Sequence, residues 1–473
     1  MRRVNPERLN SALRALTLGL SLGLALALSA CGDGSDLNGL ATASTPSAPS
    51  IPAASTYTVG GTVSGLNAGA TLALRDNGTD TATITANGAF AFPGALASGA
   101  AYTVTVGTRP NYQSCTVSNG TGSIAGANVT NVSVACAANG PQYVYVANNN
   151  DHTVSAYSID ATTGALTQVA SSPFGAGLSP RSVTVNPAGT YAYVANATDG
   201  TVSAYSISAA TGALTAVGTV TAGTRPYSVT VNPAGTYAYV ANSGSNTVSA
   251  YSIDAATGAL TVVGTVAAGT NPESVTVNPA GTYAYVANAT DGNVSAYSIS
   301  AATGALTPLA GSPFTAGAYA ISVTVNPAGT YAYVANQSGN DVSAYSIDAT
   351  TGALTPVTGS PFVAGNQPVS VTVNPAGTFA YVTNYGLNTV LAFSINATTG
   401  ALTQVTGSPF TAGRQPISVA VNPAGTYAYV ANQNDNNVSV YSINPASGAL
   451  TPVTGSPFAT GLAPVSLAIG QAK

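Results

Sequence analysis

From Ser182 onward the chain is a succession of short runs in which apolar and polar positions alternate, separated by Gly, Asn, Asp and Pro. SVTVN, YAYVAN, TVSAYSI and ALT follow one another in that order and then begin again. Alternation with a period of two sends neighbouring side chains to opposite faces, the pattern of a β-strand. The YAYVAN run and its variants start at Tyr143, Tyr191, Tyr237, Tyr283, Tyr331, Phe379 and Tyr427, spaced by 48, 46, 46, 48, 48 and 48 residues. Four strands per unit at this period predict a β-propeller with seven blades. SVTVN is expected innermost, YAYVAN second, TVSAYSI third and the run around ALT outermost.

The ends of the array predict how the ring closes. Its first unit starts at the second strand, whereas the chain finishes with a spare innermost strand, Pro464-Val465-Ser466-Leu467-Ala468-Ile469. That strand is expected to complete the first blade and leave no open edge. Asn-Pro-Ala-Gly-Thr between the first two strands is a tight turn. The polar residues at the end of each third strand (Asp160, Ser208, Asp254, Ser300, Asp348, Asn396 and Asn444) should bond their own backbone. Five units are two residues longer and contain Ser-Pro-Phe; Phe174, Phe314, Phe362, Phe410 and Phe458 are expected to cap blade edges.

Ahead of the array the pattern changes three times, dividing the chain into residues 1–30, 31–56, 57–137 and 138–473. Arg2, Arg3, Arg8 and Arg14 precede an apolar run from Ala15 to Ala30 that ends in Leu28-Ser29-Ala30-Cys31, the layout of a secretory signal peptide. The run is too short to favour a transmembrane span. LSAC resembles the lipobox of bacterial lipoproteins, which implies cleavage before Cys31 and acylation of that residue. In such lipoproteins Asp directly after the Cys favours inner-membrane retention. Here Gly32 holds that position, so an outer-membrane protein, periplasmic or surface-exposed, is expected. Residues 31–56 then form a flexible stalk of Gly, Ser, Thr, Ala and Pro. Residues 57–137 carry about seven alternating runs, which predict a small β-sandwich. This segment resembles the immunoglobulin-like modules of bacterial surface lipoproteins and is expected to act as a spacer.

Three cysteines in an exported chain leave one over. Lipidation of Cys31 would account for it and leave Cys115 and Cys136 to form a disulfide, while a plain signal peptide would leave a spare thiol. Charged residues are only 5% of the chain, far below the ~25% of ordinary soluble domains. Four of the ten basic residues and one of the fourteen acidic ones lie in the first 14 positions; without them the net charge is about −7. No basic cluster exists to neutralise phosphates, which sets nucleic-acid binding aside.

YVAN and Tyr381-Val382-Thr383-Asn384, with SVTVNPAGT ahead and TVSAYSIDATTGALT behind, resemble the YVTN-type propellers and the seven-bladed lactonase family. The resemblance covers residues 143–470 and rests on scaffold residues. The copies differ in two places, the loop after YVAN and the entry to the innermost strand. Asp151, His152, Arg181, Asp199, Arg225, Glu273, Asp291, Asp341, Arg414 and Asp435 all fall there or just beside. Both connections should emerge at one channel mouth. Arg181, Arg225, Tyr227, Glu273 and Arg414 are therefore the candidate ligand-binding residues. Asp151, Asp199, Asp291 and Asp435 share one loop position, yet no loop holds several acids, and Asp there suits a turn better than a cation site. No metal and no cofactor are expected.

Two functions follow. Because the blades are nearly identical, the favoured expectation is a monomeric module that binds a glycan, peptide or protein at the mouth. The alternative, implied by the resemblance, is a lactone hydrolase of the 6-phosphogluconolactonase-like family. It would draw its base from His152 or Glu273 and its oxyanion donors from Arg181, Arg225 or Arg414. The anchor is open to direct test. Cys31→Ala should abolish acyl-chain labelling and release the protein from the membrane fraction, and unchanged labelling and partitioning would rule the anchor out.

Overall fold

The computed structural model describes residues 55–66, 71–108, 113–138 and 140–471. The expected signal peptide, Cys31 and nearly all of the stalk lie outside the described residues. Among those described, no helix is long and apolar enough to cross a membrane.

Residues 56–138 form two four-stranded sheets rather than seven strands in all. Val59, Val63, Leu72, Leu74, Phe92, Val132 and Val134 from both sheets bury one core. Cys115 and Cys136 stand directly opposite each other on adjacent strands, Gln113–Ser118 and Val129–Ala138, and are joined as a disulfide.

From Gln142 onward seven sheets follow, and in six of them the strands run in chain order from the centre outward. Blades 2 to 7 open with the innermost strands Pro180–Val185, Pro226–Val231, Pro272–Val277, Ala320–Val325, Pro368–Val373 and Pro416–Val421. Blade 1 takes its innermost strand from the C-terminus: Pro464–Gln471 pairs antiparallel with Gln142–Asn148. The ring is closed as the sequence predicts. In blades 2 and 3 the outermost strand is one piece, Leu214–Thr221 and Leu260–Ala267. The two extra residues of the other five blades split it into two short pieces, and the Ser-Pro-Phe phenylalanine opens the second, packing half-buried against an interblade core.

Large side chains meet small ones between blades. Tyr193, Ala195, Val202 and Ala204 of blade 2 pack on Val229, Ala238, Val240, Tyr251 and Ile253 of blade 3, and the next junction repeats the set. Such interdigitation satisfies the packing density of a protein interior. The buried tyrosines also reach polar partners. Tyr145, Tyr193, Tyr239, Tyr285, Tyr333, Tyr381 and Tyr429 each donate to the carbonyl of a glycine in the following blade, Gly212 through to Gly164, at 2.9–3.2 Å. Burial raises the first six of these phenols above their ordinary pKa, which keeps them protonated as donors.

The glycine is required. At Gly258 the backbone has φ +75°, and an added methyl would lie 2.2 Å from the ring of Tyr191. The innermost strands are stitched by their serines. Val229 N–H donates to Ser182 Oγ at 3.1 Å, and the same bond recurs at all seven junctions, returning through Ser418 to Leu467 and Ser466 to Val183.

Gly258→Ala is expected to destabilise the protein by about 2 kcal/mol or more, from the left-handed backbone and the blocked ring together. Gly218→Ala, where nothing lies within 4 Å, should change stability by less than about 0.5 kcal/mol. Chemical denaturation of both variants checks the contrast.

Candidate functional site

The mouth is built from two residues per blade. Each innermost strand slips by one residue near its start: Pro180 pairs with Asn196 and Ser182 with Ala195, so Arg181 is left out of the ladder. The same slip leaves out Tyr227, Glu273, Ile321, Val369, Ile417 and Val465. A bulge of this kind re-aims the skipped side chain. Just ahead of it, Ser179, Arg225, Asn271, Tyr319, Gln367, Gln415 and Ala463 all have left-handed backbone, with φ between 53° and 60°.

These fourteen positions divide into two arcs. Blades 2 to 5 contribute Ser179, Arg181, Arg225, Tyr227, Asn271, Glu273 and Tyr319. The remainder is uncharged, with Ile321, Val369, Ile417 and Val465 at the bulges.

In the polar arc the side chains interact across blade boundaries. The guanidinium carbon of Arg181 lies 4.8 Å from the centre of the Tyr227 ring, and that of Arg225 lies 5.6 Å from it. The ring's negative face attracts both cations. Asn271 Nδ2 donates to Glu273 Oε1 at 3.0 Å, and Tyr319 Oη donates to the same oxygen at 3.5 Å. Asn271 is itself held, since Ser243 Oγ donates to its Oδ1 and its backbone N–H donates to Asn246 Oδ1. Burial pushes the Glu273 carboxyl above its usual range, opposed by the Asn271 bond, the Arg181 charge, the Tyr319 hydroxyl and the Arg225 charge. Burial, followed by the Glu273 charge, also raises the Tyr319 phenol.

Arg181 and Arg225 are near enough to act on Glu273 electrostatically, yet neither closes an ion pair with it. Among the described residues the ion pair is Arg414 with Asp435. Arg181 Nε is buried and has no hydrogen-bond partner. Two cations and one carboxylate therefore face one mouth without neutralising one another by contact. Outward from Arg181, Arg225 and Tyr227 runs a cleft of about 640 Å³, lined also by Ser179, Thr198, Asp199, Thr221 and Thr224.

Arg181, Arg225, Tyr227 and Glu273 thus come together as the sequence indicates, but two other candidates do not join them. Arg414 belongs to blade 7, where its Nε lies 2.5 Å from Asp435 Oδ1 and its backbone N–H donates to Asp435 Oδ2 at 2.6 Å. These bonds hold the Asp435 carboxyl below its usual range. His152 is a loop pin: its Nδ1 lies 3.1 Å from the backbone nitrogen of Ser179 and 3.0 Å from the carbonyl oxygen of Asn149. The aspartates that share a loop position act alike. Asp151, Asp199 and Asp291 accept backbone N–H groups of Leu462, Leu178 and Thr270 at 2.6–2.7 Å, fastening the entry loop of their own blade. Among the described residues no group of three His, Cys, Asp or Glu is placed to hold a metal.

Asn271 and Tyr319 were not singled out from the sequence. The signal was available, because each occupies the position of Arg225 one or two repeats further on. What hid it was that neither residue is charged.

A family model described as a seven-bladed β-propeller lactonase matches residues 116–231, 141–323 and 324–461. No protein of curated function matches the sequence. Among solved structures, a candidate 6-phosphogluconolactonase of Bacteroides fragilis superposes with a TM-score of 0.63 at 20% identity, covering 70% of this chain and 98% of its own. The periplasmic gluconolactonase of Pseudomonas aeruginosa does so with a TM-score of 0.62 at 19% identity, covering 70% and 100%. At these identities the likeness is one of fold.

The electrostatics of the site are open to test. Removing the Asn271 amide takes away a donor that favours the charged carboxylate, so Asn271→Ala should raise the Glu273 pKa further. Titration of the side-chain carboxyl carbon by NMR reads the shift, and a downward move would contradict this geometry.

Proposed function

The chain belongs to the seven-bladed β-propeller lactonase family, and on that premise we propose that it is a lactone hydrolase whose site is the polar arc of the channel mouth. The observation that carries this reading is a half-buried carboxylate held by Asn271 and Tyr319 near two guanidiniums that it does not touch. The family match favours hydrolysis over the pure binding module that blade identity had led the sequence to prefer. That identity is a property of the scaffold, whereas no two blades carry the same pair of residues at the mouth.

In this mechanism Glu273 is the general base. Its raised pKa makes it a stronger base than an exposed carboxylate, while Asn271 and Tyr319 fix its orientation. It takes a proton from water as the water oxygen bonds to the lactone carbonyl carbon. The carbonyl oxygen becomes an oxyanion, which Arg181 and Arg225 stabilise with charge already in place. Stacking on Tyr227 holds both guanidiniums without an anionic protein partner, so their donors face the reacting group. When the intermediate collapses, the ring C–O bond breaks and the departing alkoxide takes the proton back from Glu273. The product is an open hydroxy acid.

The proposal extends to place. Acylated Cys31 would tether a monomeric ring to the bacterial outer membrane through residues 31–56, and its substrates would then be lactones of the extracytoplasmic space.

Glu273→Gln should lower kcat by about 10²–10⁴-fold, the usual worth of a general base, and Arg181→Ala by about 10²-fold or more. Because only the carboxylate is active and its pKa is raised, the acid limb of kcat/KM should lie at higher pH than an ordinary carboxylate would give. Absence of turnover across a panel of sugar and aliphatic lactones would refute the assignment.

A further inference from the structure

We propose that the preferred substrate is a lactone at the reducing end of an oligosaccharide rather than a single sugar ring or a lactone with an aliphatic chain. This inference rests on the hydrolytic reading above and adds the substrate class. The cleft that begins at Arg181, Arg225 and Tyr227 does not end there. It continues between the loops of blades 2 and 3 to Thr198 and Thr221. Its volume of about 640 Å³ lies within the ~300–1,000 Å³ of pockets that enclose drug-sized ligands, more than one six-membered ring needs.

Its chemistry selects what fills it. Hydroxyls of Thr221 and Thr224 both donate and accept, those of Ser179 and Thr198, bonded to each other at 2.9 Å, keep a further donor and a further acceptor, and Asp199, whose Oδ2 takes the Leu178 N–H, adds its Oδ1. Between them stand Ala197, Gly200, Ala222 and Gly223, and Tyr227 is the one large apolar side chain of the lining, a flat face that suits a sugar ring better than an acyl chain. A chain of sugars presents closely spaced hydroxyls of both kinds to such a wall. The uncharged arc is a poor rival site, because Val369 and Val465 are only 6% exposed and Val465 packs in an interblade core.

Polarity also fits the direction of the cleft. The reacting lactone belongs at the end lined by Arg181 and Arg225, whose charges act on Glu273, so the remaining sugars must lead toward Thr198 and Thr221. Opening the lactone leaves a carboxylate facing Arg181 and Arg225, so the product aldonate should bind as well.

The experiment compares the full-length protein on a hexonolactone, on the lactones of oxidised di- and trisaccharides, and on a long-chain aliphatic lactone. Two net hydrogen bonds per added sugar correspond to about tenfold in kcat/KM, so the trisaccharide lactone should lead. Thr224→Trp, which fills the exposed outer cleft, should bring the trisaccharide-to-monosaccharide ratio close to one. Calorimetric binding of the matching aldonates gives a readout independent of turnover, and affinity should rise with length in wild type and not in Thr224→Trp. Hydrolysis and binding that ignore sugar number, or that favour the aliphatic lactone, overturn this inference and leave the hydrolytic reading standing. Aldonate affinity that rises with length, without turnover of any lactone, supports the cleft assignment and overturns hydrolysis instead.

Discussion

Every blade of this ring is held to the next by a tyrosine that passes under its neighbour's turn and donates to a glycine carbonyl. The junction needs three things at once: an aromatic large enough to cross it, a buried hydroxyl that finds a partner, as Tyr193 does at Gly258, and no Cβ on that glycine, because the ring of the aromatic two positions earlier, Tyr191, lies against it. Tyr in YAYVAN and Gly in TGALT meet those needs together, some 65–67 residues apart in most blades. Since each junction depends on its neighbours, all seven must keep the same pair. This constraint, with the serine stitching of the innermost strands, explains why the copies are so alike.

A scaffold stabilised by uncharged contacts places few demands on the channel mouth. The interblade cores need Tyr, Val and Ala, and in five blades the fully buried Asn at the end of the second strand satisfies the loop backbone, as Asn196 does for Gly177. Most of the loop aspartates complete that fastening. What remains are the bulged residue and the left-handed residue ahead of it, which the ladder does not use. Those positions can carry different chemistry in each blade at little cost to folding. Arg181, Arg225 and Glu273 all stand at such positions.

Keeping Arg181 and Arg225 apart from Glu273 matters for the same reason. A closed ion pair would lower the carboxyl pKa and occupy the guanidinium donors, leaving neither for a substrate. The stack on Tyr227 supplies the arginines with an attractive surface that is not an anion, and Asn271 and Tyr319 hold the carboxylate with neutral donors. Arg414 shows the opposite arrangement: its close pairing with Asp435 fastens a loop and leaves the guanidinium committed.

The repeat by itself determined the architecture. Period, strand order, blade number and the return of the C-terminal strand to blade 1 are all written in alternation and spacing, because near-identical units can bury their faces only by stacking into a closed ring. The sequence also narrowed the site to two connections. Tertiary structure alone decided which residues in them act together. Arg225, Asn271 and Tyr319 are separated by 46 and 48 residues, and only the circular arrangement makes them neighbours. Only the bulge and the left-handed backbone turn them and their partners toward one mouth. The same loops carry His152, Arg414 and Asp435, whose residue types look as promising, yet a side chain's direction depends on local backbone geometry that composition does not encode.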